Sequence, residues 1–380
     1  MRNTLTVTAA LMLTTSQAFA VGLDRSNQDI GIIFEEGDYA ELSFGSISPD
    51  ITGQDGTEFA GGAPGTFQGR ETGNVADDFT QFSFGFKAQL TDQLSASVIF
   101  DEPYGADIAY PATTATDGSI ALGGTAAELN SSAVTGLLRY EFDNNFSVHG
   151  GIRVQTLDAN ITLGGAAFGG PPPTGISGFN VDLGESTEVG FTGGVAYERP
   201  DIALRVALTY HSEIEHEFPT VDNFAGASTT TVTTPQAVNL DFQSGIAENT
   251  LLFGSIRWAE YSVVIVDPLG FPGDSLTDIE DGFSYTLGVG RQFTEDFAAS
   301  ISVGLETEGD DDLVSPLSPT NGSVRLTVGG AYDLNDNVTI SGGVSYVTFG
   351  DAFAATSEVA RAEFTDNDAI GVGVSIGYQF

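Results

Sequence analysis

The 380-residue chain carries 52 acidic against 12 basic side chains, a formal net charge of −40, and no cysteine. That charge excludes nucleic acid as a partner, and the missing thiols exclude a disulfide framework, a thiolate metal site and a cysteine nucleophile. No stretch reaches the roughly 18–20 unbroken apolar residues of a membrane helix, so a membrane location requires strands.

Met1 to Ala20 has an early Arg2, an apolar run from Leu5 to Leu13 and a small-x-small end at Ala18-Phe19-Ala20, the pattern of a secretory signal peptide. Residues 21–37 lack alternation and are expected to form a short N-terminal plug, with Ile32, Ile33 and Phe34 touching ligand or packing in a lumen. Residues 38–380 then read as an all-β unit: a transmembrane antiparallel β-barrel of about 14 strands. The expected strands lie near 38–48, 78–90, 94–110, 128–142, 146–160, 188–199, 202–216, 236–246, 249–266, 281–293, 296–308, 322–333, 337–348 and 368–380. Turn formers such as Thr91-Asp92-Gln93 and Asp143-Asn144-Asn145 alternate with long segments near 49–77, 111–127, 161–187, 217–235, 267–280, 309–321 and 349–367. Tight turns at one end and long loops at the other are the asymmetry of an outer-membrane barrel. The last strand alternates strictly from Ile370 to Phe380, and an apolar face ending on a terminal aromatic resembles the assembly signal of Gram-negative outer-membrane barrels. Barrel assembly machinery, membrane lipid and lipopolysaccharide are the partners this implies.

Parity assigns the faces. Phe82, Phe84 and Phe86 share one side of their strand and leave Gln81, Ser83, Gly85 and Lys87 on the other. The same rule turns His149, Arg153, Arg205, His211, Glu213, Arg257, Arg139 and Arg325 inward. A cation facing lipid near the midplane costs roughly 2–4 kcal/mol, so an inward bias is expected. These cations either pair with lumen carboxylates such as Glu41, Asp101, Glu141, Glu198, Asp241 and Glu306, or meet the carboxylate of an amphipathic ligand. Lys87, His149, Arg153, Arg205, His211 and Arg257 are the lumen candidates for that contact.

Alternation through Phe100 breaks at Asp101-Glu102-Pro103-Tyr104-Gly105 and resumes at Ala106. Proline lacks the ladder N–H and glycine suits a bulge, so this is either an ordinary irregularity or a gap for sideways exit, with Asp101, Pro103, Tyr104 and Gly105 at its centre. The runs FKAQLTDQLSASVIFDEPYGADIAY (86–110), TPQAVNLDFQSGIAENTLLFGSIRWAEYS (234–262) and DDLVSPLSPTNGSVRLTVGGAYDLNDNVTISGGVSYV (311–347) together resemble the FadL/TodX family of outer-membrane transporters of hydrophobic compounds. The resemblance implies a 14-stranded barrel plugged by an N-terminal hatch, ligand capture between the third and fourth outer loops, and lateral exit at a kink in the third strand. Candidates for the loop groove are Leu163, Phe168, Ile176 and Phe179, beside Pro171, Pro172 and Pro173, and Phe218 and Phe224. The hatch motif itself is absent from the short N-terminal segment.

No catalytic motif appears, and His211-Ser212 is a poor dyad because neighbours on a strand face opposite sides. No cofactor is expected; the acidic cluster Glu308, Asp310, Asp311 and Asp312 is either a Ca²⁺ site without EF-hand spacing or a solvated acidic loop. The expected function is passive uptake of long-chain fatty acids or other hydrophobic molecules. A general diffusion porin and a structural or adhesive surface barrel are the alternatives.

Overall fold

The computed structural model describes residues 23–56, 69–114, 116–170, 174–309 and 312–380. The stretch expected to be a signal peptide, Pro171 to Pro173, Asp310 and Asp311 lie outside them.

Fourteen antiparallel strands close into a barrel. They are β1 (Tyr39–Asp50), β2 (Phe79–Gln89), β3 (Leu94–Asp101 and Ala106–Ala109), β4 (Ala126–Glu141), β5 (Phe146–Leu163), β6 (Phe179–Arg199) and β7 (Leu204–His211 and Ile214–Asp222). The second half comprises β8 (Gly226–Thr234 and Ala237–Ala247), β9 (Thr250–Ala259), β10 (Gly282–Gln292), β11 (Phe297–Glu306), β12 (Ser323–Asn335), β13 (Val338–Phe349) and β14 (Asp368–Gln379). Closure runs through β1 and β14, in register from Tyr39↔Gln379 to Asp50↔Asp368. Closing the ring removes both sheet edges, the condition for holding strands in lipid.

Period-two alternation gives the wall its two faces. Phe82, Phe84 and Phe86 are exposed on the outside while Lys87 is 1% exposed inside; Val148, Ile152 and Val154 face out while His149, Arg153 and Gln155 are buried. The terminal Phe380 lies outside against Phe86 and Tyr378.

Four segments depart from the sequence expectation. β5 and β6 stay paired out to Leu163↔Phe179, so 161–163 and 179–187, expected in the third loop, are strand, and Leu163 and Phe179 are strand residues. The stretch 217–235 is no loop: β7 and β8 continue past the barrel as a hairpin, Ile214↔Thr234 to Asp222↔Gly226. Its phase changes at the break between the two parts of β7, where His211, Ser212 and then Ile214 are all buried, so Glu213 is exposed to solvent rather than turned into the lumen. Ile214, His216 and Phe218 then face inward and Glu215 and Glu217 outward. The segment 349–367 forms a second hairpin, Ala352–Thr356 with Val359–Phe364, which joins Gly53–Asp55 and Leu313–Val314 in a four-stranded sheet above the barrel. Finally, β9 ends at Ala259, and Tyr261–Val263 turns the chain as a short 3-10 helix.

These excursions form a lid of two apolar clusters. One gathers Leu163, Phe179, Phe218, Tyr261, Val266 and Leu276; the other gathers Ile51, Val75, Tyr110, Leu122 and Phe364. Packing of apolar side chains fixes loops that would otherwise expose them.

Candidate functional site

Beneath the lid lies a cavity of about 900 Å³. Leu163, Phe168 and Ile176 line it from the third loop region, and Phe271, Leu276, Ile279, Leu313 and Leu317 from the connections after β9 and β11. Phe179 and Phe218 are buried in the lid core instead, and Phe224, at the hairpin tip, is 37% exposed with its ring 5.1 Å from that of Phe179. The apolar residues after β9 and β11 were not singled out from sequence, although they carry the same signal as those that were: large apolar side chains in outer segments.

The cavity floor is the N-terminal segment at the break in β3. Leu23 to Arg25 lie along it like an added strand: Gly105 N–H donates to Leu23 O (2.9 Å), Arg25 N–H donates to Pro103 O (2.8 Å), and Asp24 bridges Tyr104 in antiparallel fashion. Side chains fasten it. Arg257 donates to Asp24 through Nε (2.8 Å) and Nη2 (3.1 Å), Arg25 pairs with Asp107 (2.8 Å), and Ser26 Oγ donates to Asp101 (2.5 Å). Asp101 also holds Arg153 Nη2 at 2.9 and 3.0 Å. A Cβ on Gly105 would fall where the Arg25 side chain lies, and one on Gly85 would meet the end of the Ile32 side chain, so both glycines leave room for the N-terminal segment.

Farther down, Gly31–Phe34 makes a 3-10 turn inside the barrel. Ile33 is 1% exposed and packs with Ile30, Ile99 and Leu137, with Ile32 and Phe34 beside them. The Phe34 ring receives two guanidinium groups, Arg205 at 4.4 Å and Arg139 at 4.7 Å, and meets His149 edge-on. Arg139 also pairs with Glu141 and Glu198. Lys87 Nζ donates to the backbone oxygens of Glu35 (2.7 Å) and Gly37 (3.1 Å). Burial pushes the half-buried Glu35 carboxyl up to about 7 against the pull of Arg205.

The lumen candidates therefore fall into two groups. Lys87, Arg205, Arg257 and His149 hold the N-terminal segment directly, and Arg153 holds it through Asp101. His211 instead bonds Thr192 Oγ1 at 3.1 Å on the wall. Asp24, Arg25 and Ser26 escaped sequence reasoning because their partners are distant in the chain. One signal pointed to them: buried cations need carboxylates, and β9 supplies none beside Arg257.

The break leaves a window in the wall. β2 and β3 pair only from Phe84↔Phe100 to Gln89↔Ser95. Above, pairing resumes where Asp77 N–H reaches Asp107 O (3.1 Å) and Ala109 N–H reaches Val75 O (2.7 Å). Between these two seams the Phe82 N–H finds only the Glu102 carboxylate, at 2.9 Å. A second cavity of about 100 Å³ lies there, lined by Ser26, Ile32, Gly85 and Asp101 from the lumen and by Phe82, Phe84 and Glu102 from the window. Asp101 lines the small cavity and Gly105 the large one, Pro103 and Tyr104 line neither, and Tyr104 bonds Ser131 on β4; Arg25 borders the large cavity and Ser26 the small one.

Among the described residues no group of three or more His, Asp or Glu side chains is arranged to hold a metal ion. The Asp312 carboxylate accepts from Asn321 Nδ2 at 3.3 Å.

A closed barrel with a lipid-facing apolar belt, a cavity beneath its outer lid and a segment across its lumen has the architecture of a membrane channel. Residues 36–380 match the family described as outer membrane protein transport protein (OMPP1/FadL/TodX), and the chain belongs to that family. It is an outer-membrane transport channel for hydrophobic compounds, and not an enzyme. Among solved structures it is similar to a FadL homologue of Pseudomonas aeruginosa, at 14% identity and TM-score 0.72, covering 92% of each chain. It is also similar to the Pseudomonas putida toluene transporter TodX, at 13% identity and TM-score 0.62, covering 92% of this chain and 91% of that one. The Ralstonia pickettii toluene transporter TbuX follows, at 13% identity and TM-score 0.60, with 91% and 90% covered. At such identities these likenesses show the fold. No curated protein sequence matches the chain.

Proposed function

We propose that hydrophobic molecules enter the cavity under the lid, displace the N-terminal segment that floors it, and leave sideways through the window between β2 and β3. The observation that carries this reading is the position of Leu23 to Ser26, which separates the outer cavity from the window and fills the gap in β3. Entry is driven by burial of apolar surface, about 2.5 kcal/mol for each 100 Å² removed from water. The transport is passive: the docked segment sets the barrier, and the ligand's transfer out of water offsets it.

The test is to fill the cavity. Ile176→Trp with Leu276→Trp narrows it from two sides, and uptake of a labelled hydrophobic probe into proteoliposomes should fall at least several-fold while the barrel keeps its heat-modifiable mobility. Unchanged uptake in a correctly folded variant would remove the cavity from the route. An open diffusion porin, by contrast, would conduct ions steadily in a planar bilayer and ignore these substitutions.

A further inference from the structure

The cavity walls mix apolar and polar surface, and their charge is anionic. Its lining carries ten carboxylate side chains and one guanidinium, Arg25. Arg25 is already committed to Asp107, and the Asp24 carboxylate beside it to Arg257. Asp77, Asp274, Asp278, Glu308 and Glu358 stand exposed around the mouth. At the far end the route meets Asp101 and Glu102. Asp101 is matched by Arg153, while Glu102 accepts from a backbone amide and brings a carboxylate to the window itself. The cations that would welcome an anionic headgroup lie behind the N-terminal segment, each facing a carboxylate, a backbone oxygen or an aromatic ring.

From this arrangement we infer that the route discriminates by charge: it admits uncharged hydrophobic molecules and turns away carboxylate amphiphiles of the same chain length. The inference rests on the proposed cavity route and narrows its substrate class. The physical cause is a like-charged cleft with low-dielectric walls, which concentrates the field along the path of entry. Neutral molecules meet the same walls without this repulsion. An anion must either approach these carboxylates or give up its charge.

The experiment compares three probes of equal chain length, hexadecanol, palmitate and hexadecylamine, for uptake into proteoliposomes at pH 8 in divalent-free buffer. At low salt palmitate should enter roughly tenfold or more slowly than hexadecanol, and the gap should close in about 0.5 M salt, where the Debye length falls to a few ångströms. Neutralising the mouth with Asp274→Asn, Asp278→Asn, Glu308→Gln and Glu358→Gln should raise palmitate uptake and leave hexadecanol unchanged. Equal rates for palmitate and hexadecanol at low salt, or a palmitate deficit that the neutralised variant keeps, would overturn the charge filter while leaving the cavity route standing. Hexadecylamine entering as slowly as palmitate would likewise overturn it, because the barrier would then be to any charge. If hexadecanol itself ignores the Ile176→Trp and Leu276→Trp filling, the route has failed and not its selectivity.

Discussion

The Asp24–Arg257 pair fastens the N-terminal segment to the far wall, and breaking it gives a measurable opening. The Asp24 side chain is 1% exposed and that of Arg257 5%, so Asp24→Ala strands a buried guanidinium. Removing one partner of a buried pair costs about 3–5 kcal/mol. Arg257 keeps Asn239 Oδ1 at 2.8 Å and Asn27 O at 3.3 Å, which places the loss at the lower end. About 3 kcal/mol is roughly a hundredfold in the docking equilibrium. Barrel closure does not pass through this contact, so the loss falls on the segment. Hydrogen exchange in nanodiscs reads it: protection of the Arg25 and Ile33 amides, which donate to Pro103 and Ile30, should fall roughly a hundredfold while β12 and β13 keep theirs. Asp24→Leu combined with Arg257→Met should restore much of the protection, because no buried charge is left alone. Unchanged exchange at Arg25 in Asp24→Ala would refute the idea that this pair holds the segment down.

Two further perturbations probe the same segment. Phe34→Ala removes two cation–π contacts, each worth about 0.5–2 kcal/mol, and should raise exchange between Ile30 and Phe34 more than at Arg25; a uniform change would mean the segment opens as one piece. The raised Glu35 carboxyl makes the docked state favour the proton, so docking is tightest below the ordinary value of 4.5, weakens as pH rises to about 7 and is flat above. Protection at pH 5 should exceed that at pH 7.5 after correction for intrinsic rates, and Glu35→Gln should abolish the difference; a slope that survives the substitution assigns it to another group.

The barrel was legible because lipid imposes a strict rule. Residues such as Phe82, Phe84 and Phe86 alternate without exception, and the terminal strand does so up to Phe380, so strand count and facing followed from parity. Strict alternation also explains the misreading of 217–235. The face of the β7–β8 hairpin that carries Ile214, His216 and Phe218 packs on the lid, not on lipid, and its phase changes at Ser212-Glu213, with Pro219 adding a false stop signal. The hairpin at 352–364 was hidden by its composition: AFAAT and VARAEF are short, alanine-rich runs, and the partner of the second, Gly53–Asp55, lies far away in sequence. The site was half legible. The break at Asp101 to Gly105 showed in Pro103 and Gly105 alone, and the loop candidates Leu163, Phe168 and Ile176 line the cavity. The lumen cations were located, but their engagement with Asp24, Glu35 and Phe34 depends on contacts that local pattern does not encode.

The window between β2 and β3 is the feature on which the proposed route turns, and the chain's lack of cysteine makes it directly testable. Phe82→Cys with Glu102→Cys places two thiols across the gap, where the Phe82 amide and the Glu102 carboxylate now meet. A short bifunctional thiol reagent joining them should cut hydrophobic-probe uptake to near the protein-free rate, and cleaving the linker should restore it. Full uptake through the closed window would contradict lateral exit and leave the lumen as the way out.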